Sequence, residues 1–398
     1  MAGSLTKQES EQIVNLSRTA VSSTDVVREA ARLGITVRES QVEGLARRAI
    51  PRIRFGENKQ NILSGRQSPA MTIEQLEQEP DDTFHETVMR FAELKFRDKK
   101  KVEELEWEEY ADLCSEVKRI GDAESISQDS AYIEIENIGR PIAITCLSDL
   151  HVGSRYTNYE ALKRDIRIIG SHPDIFVMKG GDWSDKFMTN FKDAGASQGA
   201  LLSPSQQLRM VKSLMKRLHG RILAAIGGNH DIMDEKLSAI STESFIHSDV
   251  PFPYLKEGGT VNISFGDAKY QIAWKHHFKF NSSMNKFNSH HRLREMNCPN
   301  ADVVVLEHTH DPGMEEISLQ DADTPRSVIN IRTGAYKEGD AFSKLWYKPG
   351  RRSPSTFIIF PSLFDGRKEI LAMMGEDSLC HAAMYLQGYD PKKMASHC

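Results

Sequence analysis

Four apolar runs of strand length end in histidines and carboxylates, and these endings constrain the chain more than any other feature. "PIAITCLSDLH", "DIFVMKGGD", "RILAAIGGNHD" and "ADVVVLEHTH" each begin with near-continuous Ile, Leu, Val, Ala or Phe and then break into Gly, Asp, Asn or His. A run that is apolar at nearly every position predicts a strand buried on both faces. Polar side chains at the carboxyl ends of such strands sit where open α/β sheets bind their ligands. The helix-like stretches "NYEALKRDIRIIGSH" and "SPSQQLRMVKSLMKRLHG" lie between the runs, and this alternation predicts an α/β domain. The later segments "TVNISFG", "YQIAWKHH", "SVINIRTG" and "STFIIFP" are strand-like with no long helix between most of them. They predict a second sheet packed on the first, with helices outside.

Five strand ends carry the chemistry. They offer Asp149 with His151, Asp182 with Asp185, Asn229 with His230 and Asp231, the pair His276 and His277, and His308 with His310. Carboxylate oxygens and neutral imidazoles are donors for first-row divalent metals, and one carboxylate can bridge two ions. If strand geometry persists through the motif, the i, i+2 spacing of Asp149/His151 and His308/His310 puts each pair on one face. A single histidine at a strand end is more often a hydrogen-bonded structural residue than a ligand. Here, however, eleven of the fourteen histidines fall between 151 and 310, which favours a shared site.

In this order "DLH", "GDWSD", "GNHD", "KHH" and "EHTH" resemble the motifs of the calcineurin-like metallophosphoesterase superfamily: Asp-x-His, Gly-Asp-x-x-Asp/Asn, Gly-Asn-His-Asp/Glu, a His after a strand, and Gly-His-x-His. The resemblance implies a two-sheet α/β/β/α metallophosphoesterase sandwich and a dinuclear site in which a water between two metals attacks phosphorus. It implies one metal at Asp149, His151, Asp182 and His310. The second would lie at Asp182, Asn229, one of His276 and His277, and His308, with Asp182 bridging. His230 would protonate the leaving group, with Asp231 orienting it. Asp185 is expected to support its turn through hydrogen bonds, and is otherwise an alternate ligand. Mn²⁺ is the expected metal for such mixed donors, and Fe or Zn would fit. Two departures stand out. Glu307 replaces the usual Gly, crowding the turn before His308 or adding a carboxylate near the site. Two adjacent histidines also stand where one is usual, with His276 the favoured ligand. Lys179, Arg155, His290 and His291 could contact a phosphate or be ordinary structural residues.

The flanks are read separately. Residues 1–60 form a small helical region resembling a helix-turn-helix, which could present Arg38, Arg47 and Arg48 to DNA. Residues 61–136 read as an acidic helical region or linker, 137–365 as the catalytic domain, and 366–398 as a C-terminal helical tail that either docks or dimerises. The N-terminal pattern points to a phosphodiesterase acting on nucleic acid, such as a DNA exonuclease or end-processing enzyme, and the organisation is similar to enzymes of bacteriophages and bacteria. A nucleotide or small-phosphodiester hydrolase is the alternative, and a non-catalytic DNA-binding or assembly protein is a third reading. The helical regions offer surfaces for an oligomer. A net charge of −5 gives no global basic field for nucleic acid or membranes. The start has no signal or transit pattern and no apolar run approaches a bilayer span, so a cytoplasmic location is expected, that of the host if phage-encoded. The five cysteines, with no CxxC spacing, read as reduced thiols.

Overall fold

In a computed structural model of the chain, the apolar runs pair into two sheets packed face to face. Residues 5–19, 23–48, 50–56, 129–185, 200–232, 250, 252–282, 284–320, 325–339, 354–361 and 368–389 are described. The strands are β1 Ile53–Gly56, β2 Ser130–Ile135, β3 Ile142–Leu147, β4 Ile175–Lys179, β5 Ile222–Ile226, β6 Tyr254–Leu255, β7 Gly259–Phe265, β8 Ala268–Lys275, β9 Val303–Leu306, β10 Gly313–Gln320, β11 Pro325–Arg332, β12 Ser355–Ile359 and β13 Ile370–Met373. One sheet has the order β13-β12-β3-β4-β5-β6 and the other β1-β2-β7-β8-β9-β11-β10. From β3 to β6 the first sheet is parallel, with β12 and β13 antiparallel at its edge. The helices are α1 Lys7–Thr19, α2 Ser23–Arg32, α3 Glu39–Arg48, α4 Tyr159–Ser171, α5 Pro204–Arg217, α6 Asn288–Asn297 and α7 Ser378–Gly388.

Strand alternation builds the layers. Ile142, Ile144, Cys146, Phe176, Met178 and Leu223 face Val261, Ile263, Tyr270, Ile272, Trp274, Val303 and Val305 across the sandwich. Ala143, Leu147, Ile175 and Val177 point the other way, onto Leu162, Ile166 and Ile169 of α4, Val211 and Met215 of α5, and Leu379 and Ala382 of α7. On the far side Ala273, Val304 and Val328 pack with Leu293 of α6. The result is the expected α/β/β/α sandwich.

Two strands change sheets relative to the sequence reading. The run "ADVVVL" becomes β9, inserted between β8 and β11 of the second sheet, and "STFII" becomes β12, beside β3 in the first. Both sheets are covered on two sides, so a continuous apolar run marks burial without saying in which sheet. The second sheet also extends beyond the expected 137–365 region. β1 and β2 belong to it, with Gly56 paired to Tyr132. In β2, Ala131, Ile133 and Ile135 are buried while Tyr132 and Glu134 point outwards. Its acidic outer face is what made it look like part of the preceding acidic region. The helices expected across 74–120 lie outside the described residues. The tail begins as a strand, β13, before α7, and α7 docks on the first sheet.

At the N-terminus Ile13, Val26, Ala30, Ile35, Val37 and Val42 form a small core shared by α1, α2 and α3 and the segment linking α2 to α3. Gly34 (φ 78°) follows α2 in the left-handed conformation that commonly ends a helix. This bundle packs on the sandwich, α1 against α7 and both α2 and α3 against α4, and Glu43 of α3 pairs with Arg217 of α5. No helix among the described residues is long and apolar enough to cross a membrane.

Phe176 is fully buried between the sheets. Phe176→Ala should lower the unfolding free energy by about 3–5 kcal/mol in chemical denaturation, the loss typical of an aromatic deleted from a packed core.

Candidate metal centre

The polar strand ends converge where β3, β4 and β5 of one sheet meet β8 and β9 of the other. The backbone there does not continue as strand. β3 stops at Leu147 and β9 at Leu306, and the side chains are aimed by left-handed residues: Asp149 (φ 49°), His151 (φ 43°), Asp182 (φ 52°), His308 (φ 71°) and His310 (φ 52°). These are five of the six non-glycine residues with positive φ among those described, the other being Phe280. Such conformations cost of order 1–3 kcal/mol each and persist where the surroundings enforce them, often at functional sites. The i, i+2 pairs therefore converge through turns and not through strand alternation.

The turns are laced together. Asp149 N–H donates to the Gly181 carbonyl and His151 N–H to the Asp182 carbonyl, each at 3.0 Å. The loop after β5 approaches so closely that a Cβ on Gly228 would lie 2.1 Å from Asp182 Oδ1. Only glycine permits that approach.

Asp182 is the hub. Its Oδ1 accepts the His230 backbone N–H at 3.0 Å, and its Oδ2 lies 3.3 Å from His276 Nε2 and 3.7 Å from His151 Nε2. On one side Asp149 Oδ1 meets His310 Nε2 at 3.1 Å, and the His151 and His310 Nε2 atoms are 3.4 Å apart. On the other, His276 Nε2 lies 3.1 Å from Asn229 Oδ1. Asp149, His151 and His310 form one group with donor atoms within 4.8 Å of one another, and Asp182, His276 and His308 form another. Either group could hold a metal ion. His276 is buried with Nε2 turned inwards, whereas His277 is exposed and lays its ring 5.1 Å from that of His308.

The electrostatics suit cations. Burial works against ionisation of Asp149 and Asp182, but the charge of His276, joined by His310 at Asp149 and His230 at Asp182, holds both below the usual carboxylate range. Burial lowers His151 and His308 to about 4, leaving both neutral near pH 7 with lone pairs to donate. His276 goes the other way. Burial opposes its charge, yet Asp182 and Asp149 raise it well above its ordinary value. The two carboxylates thus draw positive charge to the place where the donors meet. Ionised carboxylates, neutral imidazoles and an amide oxygen form a donor set that fits divalent metals.

Several residues have other roles than the sequence indicated. His230 Nδ1–H donates to the Asp185 backbone carbonyl at 2.9 Å. The orienting acceptor is therefore Asp185 where Asp231 was expected. Asp231 instead accepts backbone N–H groups from Gly228 at 2.9 Å and Trp183 at 3.3 Å, holding the turn. The Asp185 carboxylate, expected to brace its own turn, accepts instead from two side chains, His151 Nδ1 at 3.1 Å and Lys337 Nζ at 2.8 Å. Lys337 was missed, since "TGAYK" carries no metal or phosphate pattern. Lys179 does not face a substrate: it is buried, bonded to the Gly180 carbonyl and 5.0 Å above the Trp183 ring. His290 is buried against the Ile331 carbonyl, and His291 pairs with Glu315 at 3.0 Å. Arg155 is exposed beside Tyr156.

Residues 142–349 match the family model of the calcineurin-like phosphoesterases. That span is more than half of the 398 residues, and the chain belongs to this family of metal-dependent phosphoester hydrolases. No curated protein gives a significant match.

Divalent metal should stabilise the fold. Mn²⁺ at about 100 times its Kd is worth about 2.7 kcal/mol per site and should raise Tm. Asp182→Asn, which removes the charge lying beside both donor groups, should abolish most of that rise. An undiminished rise would remove Asp182 from the binding site.

Proposed function

We propose that the protein is a dinuclear metal-dependent phosphodiesterase acting on nucleic acid. The observation that carries the reading is Asp182, whose Oδ2 lies between His151 of one donor group and His276 of the other. In it Asp149, His151, Asp182 and His310 hold one ion, and Asp182, Asn229, His276 and His308 the second. Mn²⁺ suits the mixed Asp, His and Asn donors, and Fe or Zn fits the same set. Bound, the ions supply Lewis-acid neutralisation of the phosphoryl oxygens and a water nucleophile at neutral pH.

The chain's own residues do the rest. The Asp185 carbonyl fixes the His230 ring through Nδ1–H, so that in the imidazolium form the proton on Nε2 is the one passed to the departing oxygen, leaving the ring neutral. Asp231 holds the turn that presents His230. Neutral His151 and His308 donate lone pairs without competing for protons near pH 7.

Support for a nucleic-acid substrate comes from the N-terminal bundle, which packs directly on the sandwich and exposes Arg38 ahead of α3. One observation favours the second reading, a nucleotide or small phosphodiester. α3, the helix that would enter a groove, is partly committed to α4 and to the Glu43–Arg217 pair.

Hydrolysis with Mn²⁺ of end-labelled single- and double-stranded DNA, a chromogenic phosphodiester and its monoester tests both. DNA should be degraded, and His230→Ala should lower kcat by about 10²–10⁴-fold, the usual worth of a general acid. Turnover of the small esters alone would shift the substrate to nucleotides. No turnover by metal-loaded protein would sink the enzymatic reading.

A further inference from the structure

We propose that Glu307 is the positioning residue of His276, the carboxylate that decides which ring nitrogen faces the metal. This rests on the reading of His276 as a ligand. Position 307 is where the motif pattern has glycine, so the role comes from this chain's departure and not from the shared motif.

The residue is 2 % exposed, its side chain fully buried, and both oxygens are engaged. Oε1 accepts the Trp274 Nε1–H at 2.8 Å; Oε2 accepts the Gly181 N–H at 2.8 Å and the His276 Nδ1–H at 3.0 Å. Glu307 also lies with Asp149 and His276 in a group whose donor atoms are within 4.8 Å of one another. Its oxygens are nonetheless turned to three N–H donors, so it acts through the imidazole and is not itself a ligand. With Nδ1–H committed, it is from Nε2 that the ring gives up its second proton when it takes a metal, and Nε2 lies 3.3 Å from Asp182 Oδ2 and 3.1 Å from Asn229 Oδ1. The other donor group has the same device, with Asp185 on His151 Nδ1. A carboxylate behind a metal-binding histidine fixes its tautomer and ring orientation.

Room for the carboxylate comes from Gly180. A Cβ there would lie 2.2 Å from Glu307 Oε1. Glu307 and Gly180 are therefore a matched pair, one filling the space the other leaves.

Calorimetric titration of Mn²⁺ into metal-free protein tests the assignment without reference to activity. Wild type should show two binding events. In Glu307→Gln, which matches the shape but cannot accept all three N–H groups, one event should weaken by about 10–100-fold while the other keeps its affinity. Unchanged affinities in a folded Glu307→Gln protein would overturn the positioning role and leave the dinuclear reading standing. A wild type that binds no Mn²⁺ would overturn both. If Glu307→Gln does not fold, Gly180→Ala gives the second test: its Cβ should displace the carboxylate and weaken the same event. In a Glu307→Gly background the same alanine should add no further loss, and additive losses would refute the pairing.

Discussion

The site depends on buried negative charge. Asp149 and Asp182 lie almost fully enclosed at the ends of adjacent parallel strands, where an unpaired carboxylate would be costly. Nearby groups answer that charge: a backbone N–H from His230 and imidazoles from both sheets, while an indole and one backbone amide answer the carboxylate of Glu307 behind them. The sheets are held together by an apolar core, and at one edge that core opens into a polar cluster that neither sheet could satisfy alone. Removing the charge would leave five left-handed residues enforced for no purpose.

The layered fold was legible because burial leaves a simple trace: strands covered on both sides are apolar throughout. The same trace fails one level down, since it cannot tell two covered sheets apart, and β9 and β12 exchanged places accordingly. β2 was lost for the opposite reason, its outward Glu134 lending it the acidity of the stretch before it. For the site, residue types and order in the chain sufficed to gather Asp149, His151, Asp182, Asn229, His276, His308 and His310. Orientation was not legible. Whether His230 leans on Asp231 or on the carbonyl of Asp185, and whether Lys179 looks outwards or sits over Trp183, depends on left-handed turns and close loop contacts that spacing does not encode.

Glu307 shows how a departure from a motif can be absorbed. Glycine at that position leaves space; glutamate fills it and takes up donors from Trp274, Gly181 and His276, while Gly180 across the way has no side chain to object. Glu307 and its three N–H donors form a connected network in which both carboxylate oxygens are engaged. Such networks define geometry well when complete and are fragile when any member is removed.

The pairing of Gly56 with Tyr132 joins two segments that lie far apart in the chain. β1 precedes residues 57–128 in the chain and β2 follows them, yet the two strands are antiparallel neighbours in the second sheet. Such a non-local pair bears its loop-closure entropy before its ladder forms. Because β1 follows α3 closely in the chain, this ladder ties the N-terminal bundle to the second sheet through backbone hydrogen bonds, in addition to the packing of α1, α2 and α3 on α4 and α7.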